Sequence, residues 1–361
     1  MKLWPSQNDS LPRSTRCSSA SRSRGVAVMA FAVKQPVAGA SHDPVASSWL
    51  AETKARLPWM AQLESVREGM RPVYDRVIPG IRPVQTRHSN EQGVTAISAL
   101  DGSAAFQLHT FQADPQQLRW MFSSTGVITA TASRPFGTAL VRMAAYLPDQ
   151  GPPTPNLEME IGTLMGKMEP GVTPHVLANF ALTPRLDPVL HATTYLRRYY
   201  TAVPPALPST PDAGGSCSVL SFDAIHARVT KRVAEGLYQS MYKSPSVYSR
   251  VLDGTSLGFI VDCGRPEAMQ AMQEELADLS ALWAAWRQWD LQEAGSQGQA
   301  PPPGIPPLLR GEAIEAQLAA RCQALAHYLE VDPGTKYVQM MFGQERMQAM
   351  LDTCSGKAAV A

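Results

Sequence analysis

The stretch Val94-Thr-Ala-Ile-Ser-Ala-Leu100-Asp101-Gly102-Ser103-Ala-Ala-Phe-Gln-Leu-His109 decides the fold class of this 361-residue chain. Its two halves mix apolar and polar residues in the alternating manner that is typical of β-strands. An Asp-Gly pair between two such runs is a strong signal for a tight hairpin, because glycine adopts the positive φ that these turns require. The sequence therefore predicts two antiparallel strands here.

More strand-like runs follow the hairpin, at 118–122, 127–132, 139–147, 156–164 and 176–182. The segments between them are too short to hold crossover helices. Each strand is therefore expected to pair antiparallel with the one before it, as a meander.

Helical patterns lie on both sides of this region in the chain, at 47–70 with a break at Pro58, and then at 187–200, 223–242, 266–291, 311–329 and near 343–353. The helix that begins at Pro266 carries Met, Leu and Trp at steps of three and four. Its tryptophans, Trp283, Trp286 and Trp289, belong either to the core or to a dimer interface. Proline-rich loops are predicted at 203–215 and 292–307. Strands followed by helices predict an α+β fold, or an α/β/α sandwich if helices cover both faces of the sheet.

A leader of different composition comes before this body. Residues 1–34 carry six basic residues, one acid and seven serines. This composition is typical of an organelle transit peptide, and the run from Gly25 to Val33 is too short for the apolar core of a secretory signal. We predict a disordered transit peptide at 1–40; the alternative is a basic tail without a targeting role.

Without this leader, the chain of 32 basic and 31 acidic residues keeps a net charge of −4. Nucleic-acid binding requires a basic face, so nucleic acid is not an expected partner. No apolar run reaches the roughly 18 residues of a membrane span, so no span is expected. The five scattered cysteines form no C-x-x-C pair, which disfavours a disulfide scaffold, a zinc ribbon and an iron–sulfur cluster.

The sequence lacks the motifs of common cofactor and hydrolase sites: G-x-G-x-x-G after a strand, G-x-x-x-x-G-K-[ST], H-E-x-x-H and G-x-S-x-G. The seven histidines show no spacing typical of metal ligands. The residues therefore favour neither a dinucleotide site, an NTPase site nor a metal site.

Acidic residues remain as candidates for chemistry. In a strand at 156–161, Asn156, Glu158 and Glu160 share one face. That face is either exposed to solvent or the floor of a pocket, in which a carboxyl group can act as a proton donor. Asp332 is likewise either an ordinary turn residue after a helix or a second acid.

Basic residues form two clusters. The first is Arg185 with Arg197 and Arg198, and the second comprises Arg228, Lys231, Arg232 and Lys243. Each cluster is either a solvated helix face or a docking surface for an acidic protein, because charge complementarity speeds encounter.

Four stretches of the chain carry a family resemblance: Asp101-Gly-Ser-Ala-Ala-Phe-Gln-Leu-His109, Pro155-Asn-Leu-Glu-Met-Glu160, Leu182-Thr-Pro-Arg-Leu-Asp187-Pro-Val-Leu continued by Tyr195-Leu-Arg-Arg-Tyr-Tyr200, and Ser244-Pro-Ser-Val-Tyr-Ser-Arg250. Weaker matches are Leu282-Trp283, Glu330-Val-Asp332 and Met341-Phe-Gly343. In this order the chain resembles the red chlorophyll catabolite reductase family of the ferredoxin-dependent bilin reductase superfamily.

The resemblance implies an α/β/α sandwich with a central antiparallel sheet flanked by helices on both faces, in a single catalytic domain over 41–361. It implies reduction of red chlorophyll catabolite, a linear tetrapyrrole, to the primary fluorescent catabolite, with electrons from reduced ferredoxin and no bound flavin or metal. The leader would direct the protein to the chloroplast stroma, with thylakoid association as a variant. Pheophorbide a oxygenase and a second copy of the chain are further candidate partners.

The resemblance also assigns site residues. Two acids line the family's substrate pocket, and they fall on Glu160 and Asp332. Further substrate-binding positions fall on Ser244, Arg250 and Asp253, the last near a position tied to product stereochemistry. Two alternatives stay open: a reductase of biliverdin-type bilins, and a protein that binds linear tetrapyrroles without reducing them.

Overall fold

The computed structural model contains a nine-stranded antiparallel sheet. Its strands lie in the spatial order β1-β3-β4-β5-β6-β7-β9-β8, and β2 also pairs with β3. The structure describes residues 43–131, 137–163, 174–205, 219–240, 255–295, 301–331 and 333–356. The strands are β1 Arg82–Pro83, β2 Val94–Ser98, β3 Ala104–Gln112, β4 Trp120–Ile128, β5 Thr138–Tyr146, β6 Asn156–Thr163, β7 His175–Thr183, β8 Gln239–Ser240 and β9 Ser256–Asp262.

The predicted hairpin is confirmed. Strands β2 and β3 pair antiparallel from Val94 opposite His109 to Ser98 opposite Ala105. Gly102 in the turn has a φ of +70°, and the Asp101 carboxylate accepts the backbone N–H of Ser103 at 3.0 Å. The meander is confirmed as well, because each strand from β3 to β7 pairs with its successor.

Two details of the strand prediction are wrong. The runs predicted at 118–122 and 127–132 form one strand, β4, whose nine residues are all buried. The small residues from Ser123 to Gly126 continue the ladder, and Gly126 leaves room for the ring of Phe106, its partner on β3. Strand β9 was not predicted, although its Leu-Gly-Phe-Ile-Val run extends the sheet beyond β7.

The helical elements are α1 Pro44–Ala55, α2 Pro58–Glu68, α3 Arg71–Val77, a π-helix Ala192–Thr201, α4 Phe222–Ala234, α5 Pro266–Gly295, α6 Glu312–Val331, α7 Pro333–Phe342 and α8 Gln344–Ser355. The predicted break at Pro58 is confirmed. Helix α4 ends earlier than predicted, shortly before Gly236 at φ +74°. Helix α5 runs to Gly295, so the loop prediction at 292–307 is wrong over its first four residues. Helix α7 was not predicted.

The two faces of the sheet carry different helices. Helices α1 to α5 and the start of α6 pack on one face, here named the core face, where apolar side chains of every long strand are buried. Trp283 and Trp286 of α5 lie in this core, each 1 % exposed, so they belong to the core rather than to an interface. Trp289 of the same helix is partly buried and packs against this core.

Helices α7 and α8 pack on the opposite face, here named the C-terminal face. Phe342 meets Phe106 edge to face with ring centroids 5.5 Å apart, and Trp120 Nε1 donates to the Thr353 carbonyl at 2.6 Å. Helices on both faces confirm the α/β/α sandwich.

The predictions for the leader and for the first proline-rich loop are not tested by the structure. The leader at 1–40 lies outside the described residues, as does most of the loop at 203–215. Among the helices that the structure describes, none is long and apolar enough to cross a membrane.

Candidate functional site

The side chains of strand β6 alternate between the two faces of the sheet, as the sequence predicts. Leu157, Met159 and Ile161 are fully buried on the core face. Glu158 and Glu160 therefore point to the C-terminal face of the sheet. Of the five residues assigned to the site from sequence, Glu160 is the one that the structure describes; the others, Asp332, Ser244, Arg250 and Asp253, lie outside the described residues.

A row of polar side chains crosses the C-terminal face at Glu160. The strand register places Arg142 of β5 opposite Glu160 on one side and Asn179 of β7 on the other. Directly opposed residues on neighbouring strands have Cβ atoms about 5 Å apart, so these side chains are neighbours. With Glu158, which also contacts Arg142, they form what is here named the polar row: Arg142, Glu158, Glu160 and Asn179.

Arg142 links the two glutamates of the polar row. Its Nη2 donates to Glu158 Oε2 at 3.2 Å, and its Nε lies 3.8 Å from Glu160 Oε2. Its guanidinium carbon also lies 5.4 Å from the centre of the Phe122 ring, a distance typical of a cation–π contact. Arg142 is therefore held by two anions and an aromatic face.

Electrostatics keep Arg142 charged. Burial lowers the pKa of its guanidinium, but the negative charges of Glu160 and Glu158 oppose burial, and the pKa lies above its ordinary value. Burial, together with the charge of Glu158, also raises the pKa of Tyr146, so that its phenol stays neutral. A fixed cation and a neutral hydroxyl thus lie beside the carboxylates at physiological pH.

Asn179 lacks a hydrogen-bond partner for its amide oxygen. Oδ1 is buried, and no described residue donates to it. The next position across the sheet is Gly258 of β9, which contributes no side chain beside Asn179. An unpaired buried acceptor costs free energy, so this oxygen destabilises the sheet next to Glu160.

The polar row lies at the margin of the helical cover. Side chains of β2 to β5 pack against Met341 and Phe342 of α7 and against α8. The side chains of the two glutamates are more exposed than that packing region: Glu158 is 16 % exposed and Glu160 is 44 % exposed. The carboxylate is thus reachable from solvent.

A separate cavity of about 190 Å³ lies against α4. Its lining comprises His226, Val229, Thr230, Val233, Ser240, Leu257 and Gly258. None of the side chains of the polar row lines it, so it plays no part in the site built on Glu160.

The structure overturns the docking interpretation of the first basic cluster. Arg185 and Arg198 are each 1 % exposed, and Arg197 alone of the three is exposed. The guanidinium of Arg185 donates to the carbonyls of Pro148, Pro152 and Thr154. Arg185 and Arg198 are therefore internal parts of the fold and cannot meet a protein partner.

Arg198 belongs to a buried ionic cluster at the end of α5. Its Nη2 lies 2.6 Å from Asp290 and 2.8 Å from Glu293. Asp290, which is completely buried, also accepts hydrogen bonds from Thr154 at 2.5 Å and Tyr199 at 2.7 Å. Burial raises the pKa of Asp290, and Arg198 opposes that rise.

In the second basic cluster the arginines are paired. Arg228 binds Glu275 and Asp278, each at 2.6 Å, and Arg232 binds Glu275 at 2.6 Å. Lys231 is exposed, with Glu235 at 3.7 Å, and Lys243 lies outside the described residues. Acidic neighbours thus neutralise the arginines of this helix.

Sequence reasoning missed Arg142 and Asn179. Both occupy positions in the strands that alternate with buried apolar residues, which was visible in the sequence. Their meeting with Glu160 depends on strand register, which a single sequence does not specify. The parts of the chain that the structure describes hold no group of three or more His, Cys, Asp or Glu arranged for a metal ion.

Comparison with known proteins identifies no family. No family model matches the chain, and no curated protein matches it.

Proposed function

We propose that this protein reduces a linear tetrapyrrole of the red chlorophyll catabolite type with electrons from reduced ferredoxin. The observation that carries the proposal is the position of Glu160. The acid assigned by the family resemblance lies on the C-terminal face, within 3.8 Å of Arg142, opposite Asn179 and at the margin of the α7–α8 cover.

The chemistry asks little of the protein beyond positioning and protons. Reduction of one double bond of the pigment consumes two electrons and two protons, and ferredoxin delivers the electrons one at a time. The conjugated system of the pigment delocalises the first electron. The Arg142 guanidinium stabilises the negative charge that develops at that point, while the Glu160 carboxylate takes up a proton from solvent and passes it to the pigment. Because the Glu160 side chain is exposed, it takes up a second proton from water and delivers it in the same way, which completes the two protons that the reduction consumes.

Anaerobic turnover of the full-length chain tests this proposal. Purified protein is mixed with red chlorophyll catabolite and chemically reduced ferredoxin, and the fluorescent product is followed. Biliverdin in a parallel reaction distinguishes the biliverdin-type reductase. Product formation that requires both protein and ferredoxin is the expected result. Absence of turnover with either pigment would refute a reductase function.

One observation favours a second candidate, a protein that binds linear tetrapyrroles without reducing them. Sites that deliver protons to a reacting carbon commonly exclude water, whereas the Glu160 side chain is 44 % exposed. Tight binding of the pigment without ferredoxin-dependent turnover would establish this function instead.

A further inference from the structure

The two glutamates of the polar row contact Arg142 in different ways. Arg142 Nη2 donates a hydrogen bond to Glu158 Oε2 at 3.2 Å, whereas its Nε lies 3.8 Å from Glu160 Oε2, which is too far for a hydrogen bond. Among the residues that the structure describes, Glu158 is the one that accepts a hydrogen bond from Arg142. Glu158 therefore fixes the guanidinium, while the contact with Glu160 is electrostatic.

The exposure of the two side chains follows the same division. Glu158 is the less exposed glutamate, and a charge-assisted hydrogen bond is stronger where protein partly excludes water. Glu160 is the more exposed of the two, so its carboxylate stays accessible to solvent and to a ligand. One glutamate thus holds the arginine, and the other remains free for chemistry.

Arg142 requires such an anchor. Its side chain is 23 % exposed, and an arginine side chain gains about 2 kcal/mol of rotamer entropy when it is released. The ring of Phe122 supports one side of the guanidinium but supplies no hydrogen-bond acceptor. Without the Glu158 carboxylate, the guanidinium would therefore leave its place beside Glu160 and turn toward solvent.

On the basis of the proposed function, we propose that Glu158 is a positioning residue whose carboxylate holds the Arg142 guanidinium beside Glu160, where negative charge develops on the pigment. Glu158 acts through Arg142 and does not itself exchange a proton with the pigment. Its contribution is to keep the cation in place before the first electron arrives, because a stabilising charge is most effective when it does not have to move during the reaction.

The test measures kcat and KM of the full-length chain for red chlorophyll catabolite with reduced ferredoxin under anaerobic conditions. Glu158→Gln keeps an acceptor oxygen at the same reach without the charge, and Glu158→Asp keeps the charge on a side chain that is one methylene shorter. Glu158→Leu removes both, and it is also made in an Arg142→Leu background to complete a double-mutant cycle. Thermal melts confirm that each variant is folded. If a leucine variant does not fold, the comparison of Glu158→Gln with Glu158→Asp decides alone.

We expect Glu158→Leu to lower kcat about ten- to hundredfold with KM within about twofold of wild type, because Arg142 acts on charge that develops during the reaction. Glu158→Asp should lower kcat by at least about threefold, whereas Glu158→Gln should stay within about threefold of wild type and above Glu158→Asp. In the Arg142→Leu background, Glu158→Leu should change kcat by less than about twofold, since the residue that it positions is gone.

Three results would show that this inference is wrong while wild-type turnover upholds the proposed function. They are an unchanged kcat in Glu158→Leu, a full additional loss in the Arg142→Leu background, and a larger loss in Glu158→Gln than in Glu158→Asp. If wild type itself does not turn over red chlorophyll catabolite, the proposed function is refuted and the positioning role is refuted with it.

Discussion

The Arg198→Met substitution tests the internal role of a residue for which the sequence left open a solvated helix face or a docking surface. Arg198 donates to Asp290 and Glu293 and, through Nη1, to the Pro306 carbonyl at 2.7 Å. Methionine keeps much of the aliphatic volume but no charge. Two buried carboxylates would then remain without their cation.

The expected loss follows from this geometry. Removing one partner of a buried ion pair costs about 3–5 kcal/mol, because the remaining charge stays desolvated. With an m-value of about 3 kcal/mol/M in urea, the upper end for small proteins, the unfolding midpoint should fall by about 1–1.7 M.

Urea unfolding followed by circular dichroism and tryptophan fluorescence measures this shift. The control is Arg197→Met, the adjacent residue, which is exposed. We expect the control to change the free energy of unfolding by less than about 0.5 kcal/mol. Equal midpoints for the two variants would contradict the buried ionic cluster and restore the docking interpretation.

Three further substitutions have definite expected outcomes. Gly126→Ala should destabilise the fold by about 1–3 kcal/mol in urea unfolding, since its Cβ would overlap the Phe106 ring, whereas Gly162→Ala, whose nearest neighbour is 3.5 Å away, should be nearly neutral. Burial lowers the pKa of His109, so the stability it contributes is complete above about pH 6.5 and is lost as the pH falls; His109→Gln should flatten the decline in unfolding free energy between pH 7 and 5. Glu160→Gln should lower pigment turnover about 10²- to 10⁴-fold in the anaerobic assay, with its urea midpoint unchanged.

Each of these outcomes has a contrary result. Similar destabilisation by both glycine substitutions would place the Phe106 ring elsewhere. Parallel pH profiles for wild type and His109→Gln would mean that this histidine titrates alike in the folded and unfolded chain. Near-normal turnover in Glu160→Gln would remove Glu160 from the mechanism.

The local parts of the fold were predictable because their signals are local. The Asp101-Gly102 turn, the start of α5 at Pro266 and the alternation along β6 each depend on a few adjacent residues. The short connections between strands then predicted the meander, because a short connection can join two strands only if they are antiparallel neighbours.

The remaining features depend on contacts between distant residues. Arg197 and Arg198 look alike in the sequence, and their opposite burial depends on acids of α5 far along the chain. The split predicted within β4 has a similar cause, since hydroxyl residues and a glycine resemble a turn until the ring of Phe106 is known to lie over Gly126. Asn179 could not be recognised from sequence because its unpaired oxygen is a property of the assembled sheet.

The pairing of β7 with β9 has a consequence for the order of folding. Strands β3 to β7 join partners that follow one another along the chain, whereas Asn179 opposite Gly258 unites segments separated by the π-helix and α4. Loop-closure entropy delays such long-range pairing relative to adjacent hairpins. Nascent chains would thus form the meander first. Strand β7 would remain an unpaired edge strand until β9 pairs with it, so the part of the sheet around Asn179 would form last.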